Sequence, residues 1–231
     1  MRCGLRSIAE IDVDGSNDRL IGALAEDLRP VRVLPPPALR TLLWLLLVAA
    51  VAAALALFAD TTAVWHRMTA TADISFAVIG SIATMTTAAF AAFALSLPDR
   101  SRAWALLPLP AAALWVGASG LGCLRGYILP DTHVATIGES RDCLVFIIGV
   151  SAPLAAVLVV MLRRAYSLAP LMTAAMAGLA AAAAAATLLN FFHPFDAAAT
   201  DLAVHAVAVL IVVAAVQALG GRALLNFGKG V

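Results

Sequence analysis

After residue 38 the chain alternates long apolar runs with short polar stretches, and the apolar residues show no period of two. A helix rises ~1.5 Å per residue, so about 20 residues cover a hydrocarbon core ~30 Å thick. Six runs meet that length and predict spans at 39–59, 74–97, 104–123, 143–162, 171–192 and 202–219. An outer-membrane barrel would instead show strands of ~10 residues with alternating hydrophobicity. The first run is not a secretory signal, because it lies deep in the chain behind a polar stretch. The pattern divides the chain into an N-terminal segment at 1–38, a six-span region at 39–219 and a tail at 220–231.

The N-terminal segment has its own pattern. Leu20, Ile21, Leu24 and Leu28 recur at helical spacing on one face, while Asp18, Arg19, Glu26, Asp27 and Arg29 fall largely off it. Ser16 or Asn17 suits the N-cap, and Asp18 suits the positive end of the helix dipole. Pro30 lacks an N–H and restricts the residue before it, so a helix over 16–29 is expected to stop there. Residues 30–37 then form a connector, in which Pro35-Pro36-Pro37 is stiff and extended. A helix this short is marginal alone in water and needs a surface for its apolar stripe. That surface is the membrane interface, the protein's own loops or another protein. A membrane-surface helix is normally rich in Lys and Arg with bulky aromatics opposite. This one carries mixed charge and no aromatic residue, so a partner that takes a helix in a groove competes with a plain juxtamembrane helix.

Composition agrees with membrane insertion. Hydrophobic residues make up 63% of the chain and charged residues 13%, against ~25% charged in a soluble domain. The mean hydropathy is +0.97. The net charge of +1 gives no reason to expect direct nucleic-acid binding. What informs is the distribution of charge: with the N-terminus inside, twelve of the fifteen basic residues are cytoplasmic, and only Arg67, Arg125 and Arg141 lie outside. Lys and Arg near span ends stay on the cytoplasmic side, so both termini are expected in the cytoplasm. The fold expected is therefore all-α: a polytopic six-transmembrane-helix bundle with a short cytoplasmic N-terminal amphipathic helix.

No Asp, Glu, Lys or Arg lies well inside a predicted span, which disfavours an ion-coupled transporter. The spans hold small residues instead, notably the seven alanines Ala180–Ala186, which let helix backbones approach closely. Candidate chemistry gathers at the outer ends. Cys123 and Cys143 flank one outer loop, in a compartment that permits disulfides, and the residues alone leave open a structural disulfide, two unrelated buried thiols or a redox switch. His66, His133, His193 and His205 also fall on or near that face, and imidazole with thiolate suits zinc, copper or cadmium. There is no CxxC or HxxxH pair, so neither a thiol oxidoreductase nor a compact metal centre is indicated. Asp201 and His205, one turn apart, suit a simple helix-end hydrogen bond, and His193 before Pro194 suits a turn. No cofactor and no small-molecule substrate is expected.

The run Asp18-Arg19-Leu20-Ile21-Gly22-Ala23-Leu24-Ala25-Glu26-Asp27-Leu28-Arg29-Pro30-Val31, then Leu34-Pro35-Pro36-Pro37-Ala38-Leu39-Arg40, then six spans, resembles the NrsF-like anti-sigma factor family. Leu95-Ser96-Leu97-Pro98, Trp104 with Leu107-Pro108, Cys143-Leu144 and Asp201-Leu202-Ala203-Val204-His205 extend the resemblance over about residues 17–225. It implies a non-enzymatic regulator in the bacterial inner membrane that holds an extracytoplasmic-function sigma factor inactive through its N-terminal segment. Leu20, Ile21, Leu24 and Leu28 would then bury against the sigma factor, with Asp18 and Arg29 among the charges at the rim. The resemblance also implies sensing of oxidants or heavy metals by a periplasmic cysteine pair. Cys143 matches one member, but the loop expected to hold the other, Asn190-Phe191-Phe192-His193-Pro194-Phe195-Asp196, has no cysteine. Either Cys123 replaces it or the site is a mixed one with His193 and His205. The rival reading is a small transporter or metal-handling membrane protein that uses the outer His and Cys residues.

Overall fold

Three successive prolines set where the first span begins. Pro36 is extended and Pro37 occupies the first helical position, where its missing N–H is no loss. The Arg40 N–H then donates to the Pro36 carbonyl at 3.2 Å, and the Thr41 hydroxyl to the Pro37 carbonyl at 2.8 Å. The computed structural model describes residues 13–26, 34–70, 72–128, 137–165, 167–190 and 199–227, with Cys123 and His205 described as helix backbone only. In chain order the helices are α1 (Val13–Glu26), α2 (Pro37–Ala56), α3 (Thr61–Ala70), α4 (Ala72–Leu95), α5 (Leu109–Ile128), α6 (Ile137–Leu162), α7 (Pro170–Leu189) and α8 (Ala199–Phe227). A 3₁₀ turn, Arg102–Leu106, precedes α5. There is no strand among the described residues. The chain divides into two units, Met1–Leu34 and Pro35–Val231.

Within the second unit, six helical segments are long and apolar enough to cross a membrane, with mean hydropathies of 1.4 to 2.7. The protein is a multi-pass helical membrane protein. Helices α4 and α7 form its centre, with α5 packed on α4, α6 on α7, and α8 across α7 and α6. Small residues permit this arrangement. Ala180 to Ala185 are all fully buried, as are Ala88, Ala89, Ala91 and Ala92 of α4, so the two central backbones lie close. A Cβ on Gly80 would stand 2.7 Å from the Trp115 backbone nitrogen, and one on Gly178 would stand 2.9 Å from the Val213 Cα. Only glycine fits at these α4–α5 and α7–α8 crossings without displacing backbone. Polar links also stay internal, as lipid demands. The Thr187 hydroxyl donates to Ser81 Oγ at 2.9 Å between α7 and α4, and the Trp44 indole N–H donates to the Leu154 carbonyl at 3.2 Å between α2 and α6.

Three expectations change. The stretch between the first two spans contains α3, whose N-terminus is capped by Asp60: its Oδ1 accepts from the Ala63 N–H at 3.0 Å. The third span opens not as continuous helix but as the 3₁₀ turn, capped by Ser101, before Pro108 and Pro110 restart the chain as α5. Helix α1 begins at Val13, so Ser16 and Asn17 are helical and not caps. Asp18 then lies in the second turn and not beside the positive dipole end. The expected stop at Pro30 lies outside the described residues.

Candidate functional site

The apolar stripe of α1 is the clearest unpartnered surface in its unit. Leu20 and Ile21, with Leu24 one turn further, share a face and are 58%, 63% and 61% exposed. Asp18, Arg19 and Glu26 on the same helix are exposed as well. With 14 residues, α1 is about 21 Å long and too short to cross a bilayer. Leu28, the remaining member of the predicted face, and Arg29 at its rim lie outside the described residues.

Cys143 occupies the second turn of α6 and is buried with Ile147, with Ala185 and Leu189 of α7, and with Ala208 of α8. Its cluster is thus drawn from the last turns of α7 and the first half of α8. Cys123 lies on α5, which packs chiefly on α4, whereas α6 packs on α7 and α8. The two cysteines therefore sit on helices that pack chiefly on different members of the central pair, while α8 touches both of those helices. His205 is in the second turn of α8, one turn before Ala208, and His193 lies outside the described residues. His66, on α3, is exposed. Among the described residues no three His, Cys, Asp or Glu side chains group closely enough to hold a metal ion.

At the opposite end of α6 lies a site that sequence reading passed over. Arg40, counted as one more cytoplasmic charge, is only 4% exposed. Its guanidinium donates to Ser96 Oγ at 3.2 Å just past the end of α4 and to the Met161 carbonyl in the last turn of α6, and it lies 4.4 Å from the Phe93 ring centroid. Ser167 closes a second link nearby: its hydroxyl donates to the Leu95 carbonyl at 3.1 Å and lies 2.9 Å from Thr173 Oγ1 on α7. These side chains satisfy carbonyls that the helix C-termini leave without partners. One sequence signal was available. A cation in the first turn of a helix opposes the dipole, so Arg40 there needs compensation from elsewhere.

Six helices long and apolar enough to span define a multi-pass membrane protein, and its N-terminal unit has a helix with an exposed apolar face. The chain belongs to the family described as negative regulator of sigma F, NrsF, whose profile matches residues 24–227. That family is regulatory and not an enzyme family, and its description assigns it negative control of a sigma factor. The match begins at Leu24, so it takes in the last three residues of α1 and all six spans, while Asp18, Leu20 and Ile21 precede it. No curated protein and no solved structure matches the chain.

Proposed function

We propose that the protein is an anti-sigma factor of the bacterial inner membrane that sequesters an extracytoplasmic-function sigma factor on its cytoplasmic N-terminal segment, residues 1–38. The observation that carries this reading is the exposed Leu20, Ile21 and Leu24 face on a helix too short to span, in a chain of a sigma-regulating family. Exposed apolar stripes of this kind fit a helix-in-groove partner, with Leu28 continuing the face and Asp18 and Arg29 at its rim. The excess of basic residues on one side supports cytoplasmic termini. Co-purification tests the reading: the intact chain and a version lacking residues 1–34 are extracted in mild detergent, and bound proteins are identified by mass spectrometry. A sigma factor with the intact chain alone supports it, and a sigma factor with neither overturns it.

Release follows a periplasmic redox or heavy-metal signal received at the Cys143 end of α6. Burial of Cys143 against α7 and α8 supports this half, because modification of a packed sulfur must displace those helices. Cys123 is its partner, or the α7–α8 corner with His193 and His205 supplies the remaining groups. Replacing Cys143 with Ser should leave basal repression intact and blunt induction by oxidant or cadmium. A normal induction would remove the cysteine from the mechanism.

A further inference from the structure

Arg40 is a buried cation with an unusual set of neighbours. Among the described residues no carboxylate stands within ion-pair distance of it. Its compensation comes from the Met161 carbonyl, the Ser96 hydroxyl and the Phe93 ring face, all at or near the C-terminal ends of α4 and α6. Helix C-termini carry about half a negative charge each, so two of them converging on one guanidinium offset a charge that lipid would not tolerate alone. Arg164 is close enough to act on Arg40 as a like charge. The attraction of the Met161 carbonyl and the repulsion of Arg164 both come from the end of α6, three residues apart. A small slide or rotation of α6 therefore changes both at once. Removing partners from such a buried charge is costly, so loss of the contact favours movement of the guanidinium towards water.

The position of this contact in the chain gives it consequence. Arg40 stands in the first turn of α2, three residues after Pro35-Pro36-Pro37, a stiff run at the point where the N-terminal segment joins the first span. At its other end α6 carries Cys143, about 27 Å from Met161 along a helix rising ~1.5 Å per residue. Between them lies Pro153, which removes one backbone hydrogen bond and provides a place for α6 to bend.

We propose that Arg40 is the positioning residue through which the bundle governs the N-terminal segment: its guanidinium clamps the first turn of α2, where the connector ends, to the ends of α4 and α6, and the segment holds its sigma factor while that clamp is closed. The proposal rests on the sequestering role argued above. It is tested on the full chain in lipid nanodiscs by hydrogen exchange and, in parallel, by the amount of sigma factor retained per mole of inserted protein. Arg40→Gln should raise exchange at least tenfold in residues 37–44 and 159–165 while leaving 143–150 unchanged, and should lower retention at least fivefold. Arg40→Lys keeps the charge but not the planar fork, and should recover part of that retention. Normal exchange and normal retention in Arg40→Gln would overturn the proposal, as would a fall in retention that only follows the loss of inserted protein. Should Arg40→Gln fail to insert, Ser96→Ala removes one acceptor and leaves the charge in place. A two- to threefold loss of retention supports the clamp and none overturns it. If the wild-type chain retains no sigma factor, the sequestering reading and the holding role fall together, while the exchange result still decides whether the clamp exists.

Discussion

Leu24 of α1 and Leu210 of α8 are almost equally exposed, at 61% and 67%, and the two numbers mean different things. Leu210 belongs to a helix long enough to span, where lipid tails as apolar as leucine cover the side chain. Leu24 belongs to a 14-residue helix that cannot span, so its exposure is to water unless something docks. The interior of the bundle gives the third term of the comparison. There alanine is the commonest buried residue, beside a few large side chains such as Trp44, Phe93 and Leu158, because close backbone approach rather than expulsion of apolar groups from water holds spanning helices together. A large exposed apolar residue thus fits lipid contact on a spanning helix, whereas on α1 it leaves a face for the membrane interface, the protein's own loops or a partner to cover.

Substitutions can break or sharpen this contrast. Ala181→Leu should have the largest effect on the bundle, since it adds three carbons at a fully buried α7 position. Overpacking there should cost roughly 3 kcal/mol or more and abolish stable insertion, measured by detergent-solubilised monomer yield. Gly80→Ala should be milder, at about 1–3 kcal/mol, because its Cβ must push the Trp115 backbone from 2.7 Å to ordinary contact and part α4 from α5. Thermal unfolding in detergent would register that loss. Leu210→Ala should change stability by less than about 0.5 kcal/mol, as a lipid-facing side chain has no protein partner to lose. A large loss at Leu210 would mean that this face is covered by protein and that the contrast is drawn in the wrong place.

The spans were readable because each is longer than a buried soluble helix and free of charge in its middle. The alanine run of α7 announced close packing for the same reason: no other role suits so many small residues in one span. Helix α3 was missed because its ten residues carry little apolar pattern, although Asp60 followed by two threonines offered a capping signal. The broken start of the third span was hidden in Arg102 to Pro110, where Pro108 and Pro110 could equally have begun a single helix. The neighbours of Cys143 were not legible at all, since they depend on which helices take the centre of the bundle. The buried setting of Arg40 is not legible from charge counted along the chain, since it comes from two helix ends that meet it across α4 and α6.

The central claim is that the α1 stripe is a protein-docking face and not an incidental juxtamembrane helix. Leu24→Asp in the full chain tests it most directly, read as sigma factor co-purified per mole of membrane-inserted protein. A carboxylate at the centre of a buried apolar face should cost about 3 kcal/mol or more, which is at least ~100-fold in affinity, with insertion unchanged because α1 does not span. Equal retention by Leu24→Asp and the wild-type chain would contradict the account.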